Sequence, residues 1–325
     1  MSQLDAVSAG TGEFRAGGTD VTARQLIGRA TRPYRDLNGI RELRGLEWLA
    51  DGSARIGAMT TVAELAADPR VRAHYPGLAA TAGGLATPQI RAAGTLGGNL
   101  LQRNRCWYYR NPHFSCHQSG GDGCPARDGL HLYSAVIDLG PCVAPHASTL
   151  AVALLAHDGT TLDVHGRGMM PVAELYDGTD PTRDHTLAAG EVLLAVSLPP
   201  PAAGEGAAYH RAIARAEAEW PLVEAVARLV IGDSDGADGT VAAAAVAVGG
   251  VARTPLRLPE VEAALVGGPP AARTLAAAAA LATQRCTPLP QTGYKVGLLR
   301  DTVLEVLERA TEAACDIRDH GRRAD

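Results

Sequence analysis

Four of the six cysteines lie close together in the sequence and could bind a metal centre. Cys106, Cys116, Cys124 and Cys142 follow the spacing C-x9-C-x7-C-x17-C, and prolines and glycines separate them, so we expect the thiols to project from an irregular loop at about residues 101–145. Zinc sites usually contain cysteine pairs at C-x2–4-C, a spacing that is missing here. A [4Fe–4S] cluster also takes four cysteines and accepts varied spacing.

The spacing alone leaves three other interpretations of these cysteines open. They could form disulfides in an exported protein, hold zinc with an unusual spacing, or be buried small apolar residues that happen to be close. Four nearby histidines could replace thiolates, since imidazole is a ligand in some clusters, but four cysteines already complete a set. Those histidines are His113, His117, His131 and His146. Cys286 and Cys315 are isolated, and we expect them to be apolar packing residues.

Two glycine-rich runs could bind a phosphate through backbone N–H groups, because glycine adopts positive φ and lets a ligand approach closely. The first run follows a short extended segment, residues 13–15, and precedes a predicted helix, residues 21–29. That order places a pyrophosphate at a helix start. Neither run is G-x-G-x-x-G, so an ordinary Rossmann site is excluded, and plain turns are the alternative. The runs are Ala16-Gly17-Gly18-Thr19-Asp20 and Gly94-Thr95-Leu96-Gly97-Gly98-Asn99-Leu100.

Length and charge limit the class of protein. With 325 residues the chain is long enough for two domains with their own cores. Its net charge of −5 gives no basic surface for nucleic acid or an anionic membrane. No apolar run reaches the roughly 18 residues that span a bilayer. The N-terminus lacks the pattern of a signal peptide, so we expect a cytoplasmic location, or a periplasmic one if a partner carries the chain across the membrane.

The first part of the chain alternates short extended and helical segments, which predicts an α+β domain. Thr61 and Glu64 form a capping box that opens a helix, and Asp51-Gly52 is a hairpin signal. After the cysteine loop we expect a helix, residues 150–156, then strands at 162–165 and 191–198. Three prolines and a linker, residues 202–206, follow. We place the domain boundary there, giving domains 1–205 and 206–325.

The second part predicts a smaller α+β domain. An Ala/Val run, residues 241–248, ends at two glycines and is expected to be a strand. Helices are expected at residues 258–265, 271–285 and 294–314. In the last, five apolar residues recur at helical spacing and should face the core; they are Val296, Leu299, Val303, Val306 and Leu307. The chain has no G-x-S-x-G, Walker or H-E-x-x-H motif, so its residues favour electron transfer over hydrolysis.

Several of these segments together resemble the FAD-binding subunit of the xanthine dehydrogenase family of molybdenum hydroxylases. They are the two glycine runs, Ile90-Arg91, Val248-Gly249-Gly250-Val251-Ala252, and the segment from Leu101 to Arg110. With the four cysteines, the chain resembles most the FAD/[4Fe–4S] subunit of bacterial periplasmic-type aldehyde oxidoreductases. The resemblance implies a two-part FAD-binding domain of the vanillyl-alcohol-oxidase (PCMH) type. It also implies FAD contacts at both glycine runs, Ile90, Thr149 and Lys295, and a cluster on the four cysteines.

The resemblance also implies partners. Substrate would be oxidised at a molybdenum cofactor on a large subunit, and electrons would pass through [2Fe–2S] clusters on a small subunit to FAD here and then to an external acceptor. A heterotrimer, or a dimer of heterotrimers, is expected. One departure is Thr149, where the family usually has Asp after the fourth cysteine, which puts flavin affinity in question. Alternatives are a 4-hydroxybenzoyl-CoA reductase or xanthine dehydrogenase-like subunit, a zinc-held structural subunit without flavin, and a free-standing flavin oxidase.

Overall fold

Two antiparallel sheets and one short parallel pair organise the chain. The computed structural model describes residues 3–232 and 239–324. The strand order is β3-β4-β7-β5-β6 in the first sheet and β11-β10-β9-β8 in the second, and β1 pairs with β2 in parallel. The strands are β1 Glu13–Arg15, β2 Tyr34–Asp36, β3 Leu46–Trp48, β4 Ala54–Gly57, β5 Thr161–His165, β6 Gly168–Pro171, β7 Val192–Leu198, β8 Glu205–Ala212, β9 Val223–Gly232, β10 Thr240–Gly249 and β11 Leu256–Arg257.

The helices are mostly short, apart from the last. Three lie in the second half of the chain, where α13 packs across β8 and β9. No helix in the described ranges is both long and apolar enough to cross a membrane. The helices are α1 Gln3–Ser8, α2 Val21–Leu26, α3 Val62–Ala67, α4 Pro69–His74, α5 Pro76–Gly84, α6 Pro88–Ala93, α7 Leu96–Leu100, α8 Trp107–Arg110, α9 Pro125–Asp128, α10 Thr149–Leu155, α11 Pro259–Leu265, α12 Ala272–Leu281 and α13 Tyr294–Ala324.

Several local predictions are confirmed because nearby residues decide them. The Thr61 side chain accepts a hydrogen bond from the Glu64 N–H, and the Glu64 carboxylate accepts one from the Thr61 N–H, so the capping box starts α3. Gly52 has φ +86° in the turn between β3 and β4, which pair antiparallel. On α13, Leu299, Val303, Val306 and Leu307 are fully buried, as the apolar stripe predicts, and Val296 is partly buried.

Some predicted boundaries are wrong. Helix α2 ends at Leu26 instead of residue 29, because Gly28, at φ +70°, closes it: the Arg29 N–H donates to the Arg24 carbonyl and the Gly28 N–H to the Gln25 carbonyl. This Schellman motif satisfies the carbonyls of the last turn. Strand β8 begins inside the segment expected to be a linker, and α13 continues beyond residue 314 to Ala324.

The cysteine loop lies in the first half of the chain and also packs against the second half. Between α7 and α10 it contains only the short helices α8 and α9 and one 3-10 turn, His117–Ser119. Near its end, Val136 and Ile137 are buried in the core formed by β8–β10 and α11–α13, and both N–H groups donate to the Val251 carbonyl. The loop is therefore fixed to the second core as well as to the first half.

Candidate functional site

The two glycine-rich turns lie against each other. A Cβ on Gly17 would lie 1.8 Å from the carbonyl oxygen of Ala93, immediately before the second turn, so only glycine allows this approach. Two cavities meet at the junction, and both are lined by Thr19, Asp20, Thr95 and Gly98. The sequence placed these turns about 75 residues apart with no indication of contact, and the fold makes them one site.

The two cavities differ in character. The first, of about 110 Å³, has apolar walls that include Phe14, Leu37 and Met59. The second, of about 220 Å³, is lined by a larger number of polar residues, among them Asn99 and Thr149. Between them the cavities include every residue predicted to contact FAD except Lys295; these are Ala16, Gly17, Gly18, Thr19, Asp20, Ile90, Gly94, Thr95, Gly97, Gly98, Asn99 and Thr149.

The turns contribute differently to anion binding. In the first turn, the N–H groups of residues 17–20 make no hydrogen bond within the described part of the chain, and Gly18 has φ +76°. In the second turn, the Gly97 N–H donates to the Ala58 carbonyl at 2.8 Å and the Gly98 N–H to the Thr95 hydroxyl at 3.1 Å. The first turn therefore keeps free donors of the kind that bind phosphate, whereas the second uses its glycines mainly for close packing.

Asp20 ties the first turn to the cysteine loop. Its carboxylate forms ion pairs with Arg24 at 3.0 Å, Arg105 at 2.9 Å and Arg110 at 2.7 Å, and it accepts a hydrogen bond from the Arg103 N–H. Burial alone would raise the pKa of Asp20, but the charges of Arg105, Arg110 and Arg24 lower it below its usual value. This side chain is fully engaged by protein, so its role here is to position the turn.

The four predicted cysteines converge on one small cavity of about 10 Å³, which His117 also lines. The thiols of Cys124 and Cys142 hydrogen-bond each other, which lowers the pKa of Cys124 to about 5 and raises that of Cys142. All four are free thiols. Within residues 3–232 and 239–324, no three His, Cys, Asp or Glu side chains, these cysteines included, are grouped closely enough to hold a metal ion. The ring of His131, one of the histidines considered as a possible ligand, hydrogen-bonds the Ala126 carbonyl.

Known proteins match both halves of this arrangement. A sequence profile for the FAD binding domain in molybdopterin dehydrogenase matches residues 8–201. The chain belongs to the FAD-binding subunits of the molybdopterin dehydrogenases. A second profile, for the CO dehydrogenase flavoprotein C-terminal domain, matches residues 207–314 of this FAD-binding subunit. The predicted family and its oxidoreductase class are confirmed.

Individual relatives cover nearly the whole FAD-binding subunit. The aldehyde oxidoreductase FAD-binding subunit of Escherichia coli K12 is 32% identical over 310 residues, 93% of this chain and 92% of the relative. The nicotinate dehydrogenase FAD-subunit of Eubacterium barkeri is 25% identical over 81% of this chain and 74% of its own length. The solved CO dehydrogenase from Oligotropha carboxidovorans aligns with a TM-score of 0.72 at 22% identity, covering 96% of this chain and 94% of that chain. The last result confirms the predicted fold.

Thr149 of the FAD-binding subunit has a buried carboxylic acid as its neighbour. The Glu224 side chain hydrogen-bonds Thr149 and the Tyr209 hydroxyl, the latter at 3.0 Å. Burial raises the pKa of Glu224 to about 7. A carboxyl group therefore lies next to Thr149, which lines the second cavity.

Replacing Glu224 by Gln should stabilise the FAD-binding subunit at alkaline pH. The pKa of Glu224 is about 7 in the folded state and 4.5 in the unfolded state. Between these two pH values the folded state keeps a proton that the unfolded state releases. The free energy of unfolding therefore falls as the pH rises from 4.5 to about 7. The full cost, about 3 kcal/mol, applies above pH 7. We expect Glu224→Gln to be more stable at about pH 8 and to have a flatter pH dependence, measured by urea unfolding. Glu47→Gln, at an exposed site, should have the same stability as the parent at each pH. If the stability of Glu224→Gln depended on pH as steeply as that of the parent, the raised pKa of Glu224 would be contradicted.

Lys295 lies away from the two glycine-lined cavities. It lines a third cavity of about 490 Å³, which we call the aromatic cavity, whose walls include Trp107, Tyr108, Tyr133 and Trp220. The Lys295 side chain is buried, and its ammonium donates to the Gly250 carbonyl at 2.9 Å and the Tyr133 carbonyl at 3.3 Å. The structure does not bring it next to the other predicted FAD contacts.

The sequence analysis missed four residues of the site. Gln102 lines both glycine-lined cavities, and Arg105 and Trp220 line the second cavity and the aromatic cavity. The Arg105 guanidinium lies 4.4 Å from the Trp220 ring centre. Glu224 is the fourth. Trp220-Pro221, directly before a long apolar strand, was an available signal for Trp220, whereas nothing local distinguishes Glu224 from a surface glutamate.

Proposed function

We propose that this chain is the FAD- and [4Fe–4S]-containing electron-transfer subunit of an aldehyde oxidoreductase. One observation carries the proposal: four cysteines line one cavity in a chain that resembles an aldehyde oxidoreductase FAD-binding subunit over 93% of its length. Aldehyde would be oxidised on a molybdenum-binding large subunit. A [2Fe–2S] small subunit would deliver electrons here, and an external acceptor would remove them. The assembly is a heterotrimer, or a dimer of heterotrimers, in the cytoplasm unless a partner exports it.

The two glycine-lined cavities fit FAD because a dinucleotide has two ring systems joined by a pyrophosphate. The free N–H groups of the first turn are suited to the pyrophosphate, and the cavities on either side have room for the two ends. Residues 16–20, Gly94, Thr95, Gly97 and Gly98 would hold the centre, and Ile90, Asn99 and Thr149 one end. When bound, FAD accepts electrons singly and delivers them in pairs. The predicted flavin contact of Lys295 stays a prediction.

Asn99 and the cavity walls determine what the protein itself does at this site. The Asn99 side-chain oxygen accepts hydrogen bonds from the Ser148 hydroxyl at 2.7 Å and the Leu150 N–H at 3.2 Å, which fixes the start of α10 and so orients Thr149. Apolar side chains such as Phe14 and Met59 exclude water from the first cavity. These residues bind and orient, and the chemistry belongs to the cofactor.

The cysteine site fits a four-thiolate cluster by its donor set. Each thiolate of Cys106, Cys116, Cys124 and Cys142 would bind one iron. The cavity is small, so the thiols would have to separate around a cluster, and the loop between α7 and α10 has little regular structure to oppose this. A zinc site is the competing interpretation, and metal analysis separates the two.

The test is to replace each of the four cysteines by Ser in anaerobically purified protein. We expect about four irons per parent chain, and loss of most of the iron in each variant with FAD retained, measured by iron, zinc and flavin analysis of one sample. Cys286→Ser is the matched control and should keep its iron. Iron that is unchanged in the four variants would overturn the cluster assignment. Zinc in place of iron in the parent would support a structural subunit.

A further inference from the structure

The aromatic cavity is separate from the FAD cavities and adjoins them. It shares Arg105, Glu219, Trp220 and Pro221 with the second cavity. Its walls also include Cys106, next to Arg105 in the chain. A ligand in this cavity would therefore adjoin both the place proposed for FAD and the place proposed for the cluster, which favours a molecule that carries electrons.

The walls of the cavity are suited to a flat ring. The Trp107 and Tyr133 rings are in edge-to-face contact, with centres 4.9 Å apart, and Trp107, Tyr133 and Trp220 are each between 41% and 53% exposed. Aromatic side chains in pairs favour stacked or edge-on contact with another ring. None of the glycine-rich turns forms part of this wall, so it lacks a site for the pyrophosphate of a second dinucleotide.

Lys295 is the one fully buried ionisable side chain in the wall, and it forms no ion pair among the described residues. Burial without a counter-charge lowers its pKa to about 7, so the ammonium form is disfavoured. An ammonium has three N–H donors, and the two carbonyls it contacts use two of them. It also lies in the first turn of α13, a helix of 31 residues, where the helix dipole adds positive potential. A buried cation with no carboxylate partner is costly, and an electron-rich oxygen of a ligand would offset that cost.

We infer that the aromatic cavity binds a quinone, which stacks on the aromatic walls and accepts a hydrogen bond from Lys295 through one carbonyl oxygen. This inference rests on the proposed function, for which it names the class of external acceptor. Reduction of a quinone to its quinol takes two electrons and two protons. Reduced FAD, as FADH2, supplies the two electrons and releases its two protons to solvent. The Lys295 ammonium donates one proton and is reprotonated from solvent, and solvent supplies the second.

The test uses the full FAD-loaded chain and tetramethyl-1,4-benzoquinone, whose ring carbons are all substituted and so do not add thiols. Its Kd is measured by equilibrium dialysis for the parent and for Lys295→Met and Trp107→Leu. We expect each variant to raise the Kd at least about tenfold, since tenfold corresponds to 1.4 kcal/mol and a hydrogen bond to a charged group contributes that much. Arg300→Met, an exposed site on the same helix, should bind like the parent. 1,2,4,5-Tetramethylbenzene, which lacks the carbonyls, should bind equally to parent and Lys295→Met.

Each outcome decides between explanations. An unchanged Kd in Lys295→Met, or no saturable binding by the parent, overturns the inference. Loss of FAD from Lys295→Met would instead make Lys295 a flavin contact and also overturn it. If Lys295→Met does not fold, the Kd of Trp107→Leu tests the inference. Trp107 is 53% exposed, so its truncation should leave the fold intact. A parent chain without FAD that still binds the quinone through Lys295 would contradict the proposed function but not the quinone site.

Discussion

Gly17→Ala should release FAD and destabilise the fold. The added Cβ would lie 1.8 Å from the Ala93 carbonyl oxygen and 2.7 Å from its carbon. Both are backbone atoms and cannot rotate away, so the two turns must separate. Overpacking of this kind costs roughly 3 kcal/mol. The separation also moves the free N–H groups away from the second turn. We expect less than about a tenth of the parental FAD to remain after gel filtration, because a cost of this size in the FAD-bound state would weaken FAD binding by more than tenfold. We also expect a lower melting temperature.

Gly297→Ala is the matched control for this substitution. Gly297 lies inside α13, and nothing lies within 4 Å of the position its Cβ would take. Alanine is favoured over glycine in a helix by about 0.5–1 kcal/mol, so this variant should keep its FAD and melt at the parental temperature or above it. Parental FAD content in Gly17→Ala would show that the close approach of the turns is not required.

Asp20→Asn should strongly destabilise the fold. The substitution removes the counter-charge that Arg105 and Arg110 share, whereas Arg24 keeps its ion pair with Glu13. Breaking a buried ion pair by removing one partner costs about 3–5 kcal/mol. The side chains of Arg105 and Arg110 are only 24% and 15% exposed, so water compensates little. We expect a loss of this size in the free energy of unfolding from urea titration. Protease should also cleave the cysteine loop sooner.

Asp36→Asn provides the comparison for a surface pair. Asp36 pairs with Arg15 at 2.8 Å, but the two side chains are 49% and 40% exposed, and such pairs contribute less than about 1 kcal/mol. Equal losses of stability in Asp20→Asn and Asp36→Asn would contradict the central role of Asp20. If Asp20→Asn does not fold, Asp20→Glu keeps the charge with a changed length and should give an intermediate loss.

The sequence predicted those features that depend on neighbouring residues. A capping box needs only Thr61 and Glu64, a hairpin turn needs a glycine such as Gly52, and a buried helix face needs the apolar repeat that ends at Leu307. These patterns act over a few residues, and the structure contains each of them. Where a local signal was overlooked, as with Gly28 at the end of α2, the predicted boundary was wrong.

Features that depend on distant contacts could not be predicted in the same way. Both glycine turns look alike in sequence, yet Gly97 donates its N–H to Ala58, about forty residues earlier, and is no longer available to a phosphate. Nothing in the sequence around Lys295 indicates that the packing of α13 over the second sheet buries this side chain. Glu224 acquires its raised pKa because the packing around β9 buries it, which its neighbours in the sequence do not reveal.

The burial of Val136 and Ile137 in the second core has a consequence for how the chain acquires its structure. These residues precede β8 by about seventy positions, yet they fill space between the second sheet and its helices, and the Thr287 N–H donates to the Val136 carbonyl. A fragment containing only residues 206–325 would expose the apolar surface that they cover. The core of the C-terminal half therefore includes two residues of the cysteine loop, and we expect a fragment of residues 206–325 to be less stable than the same segment in the full chain.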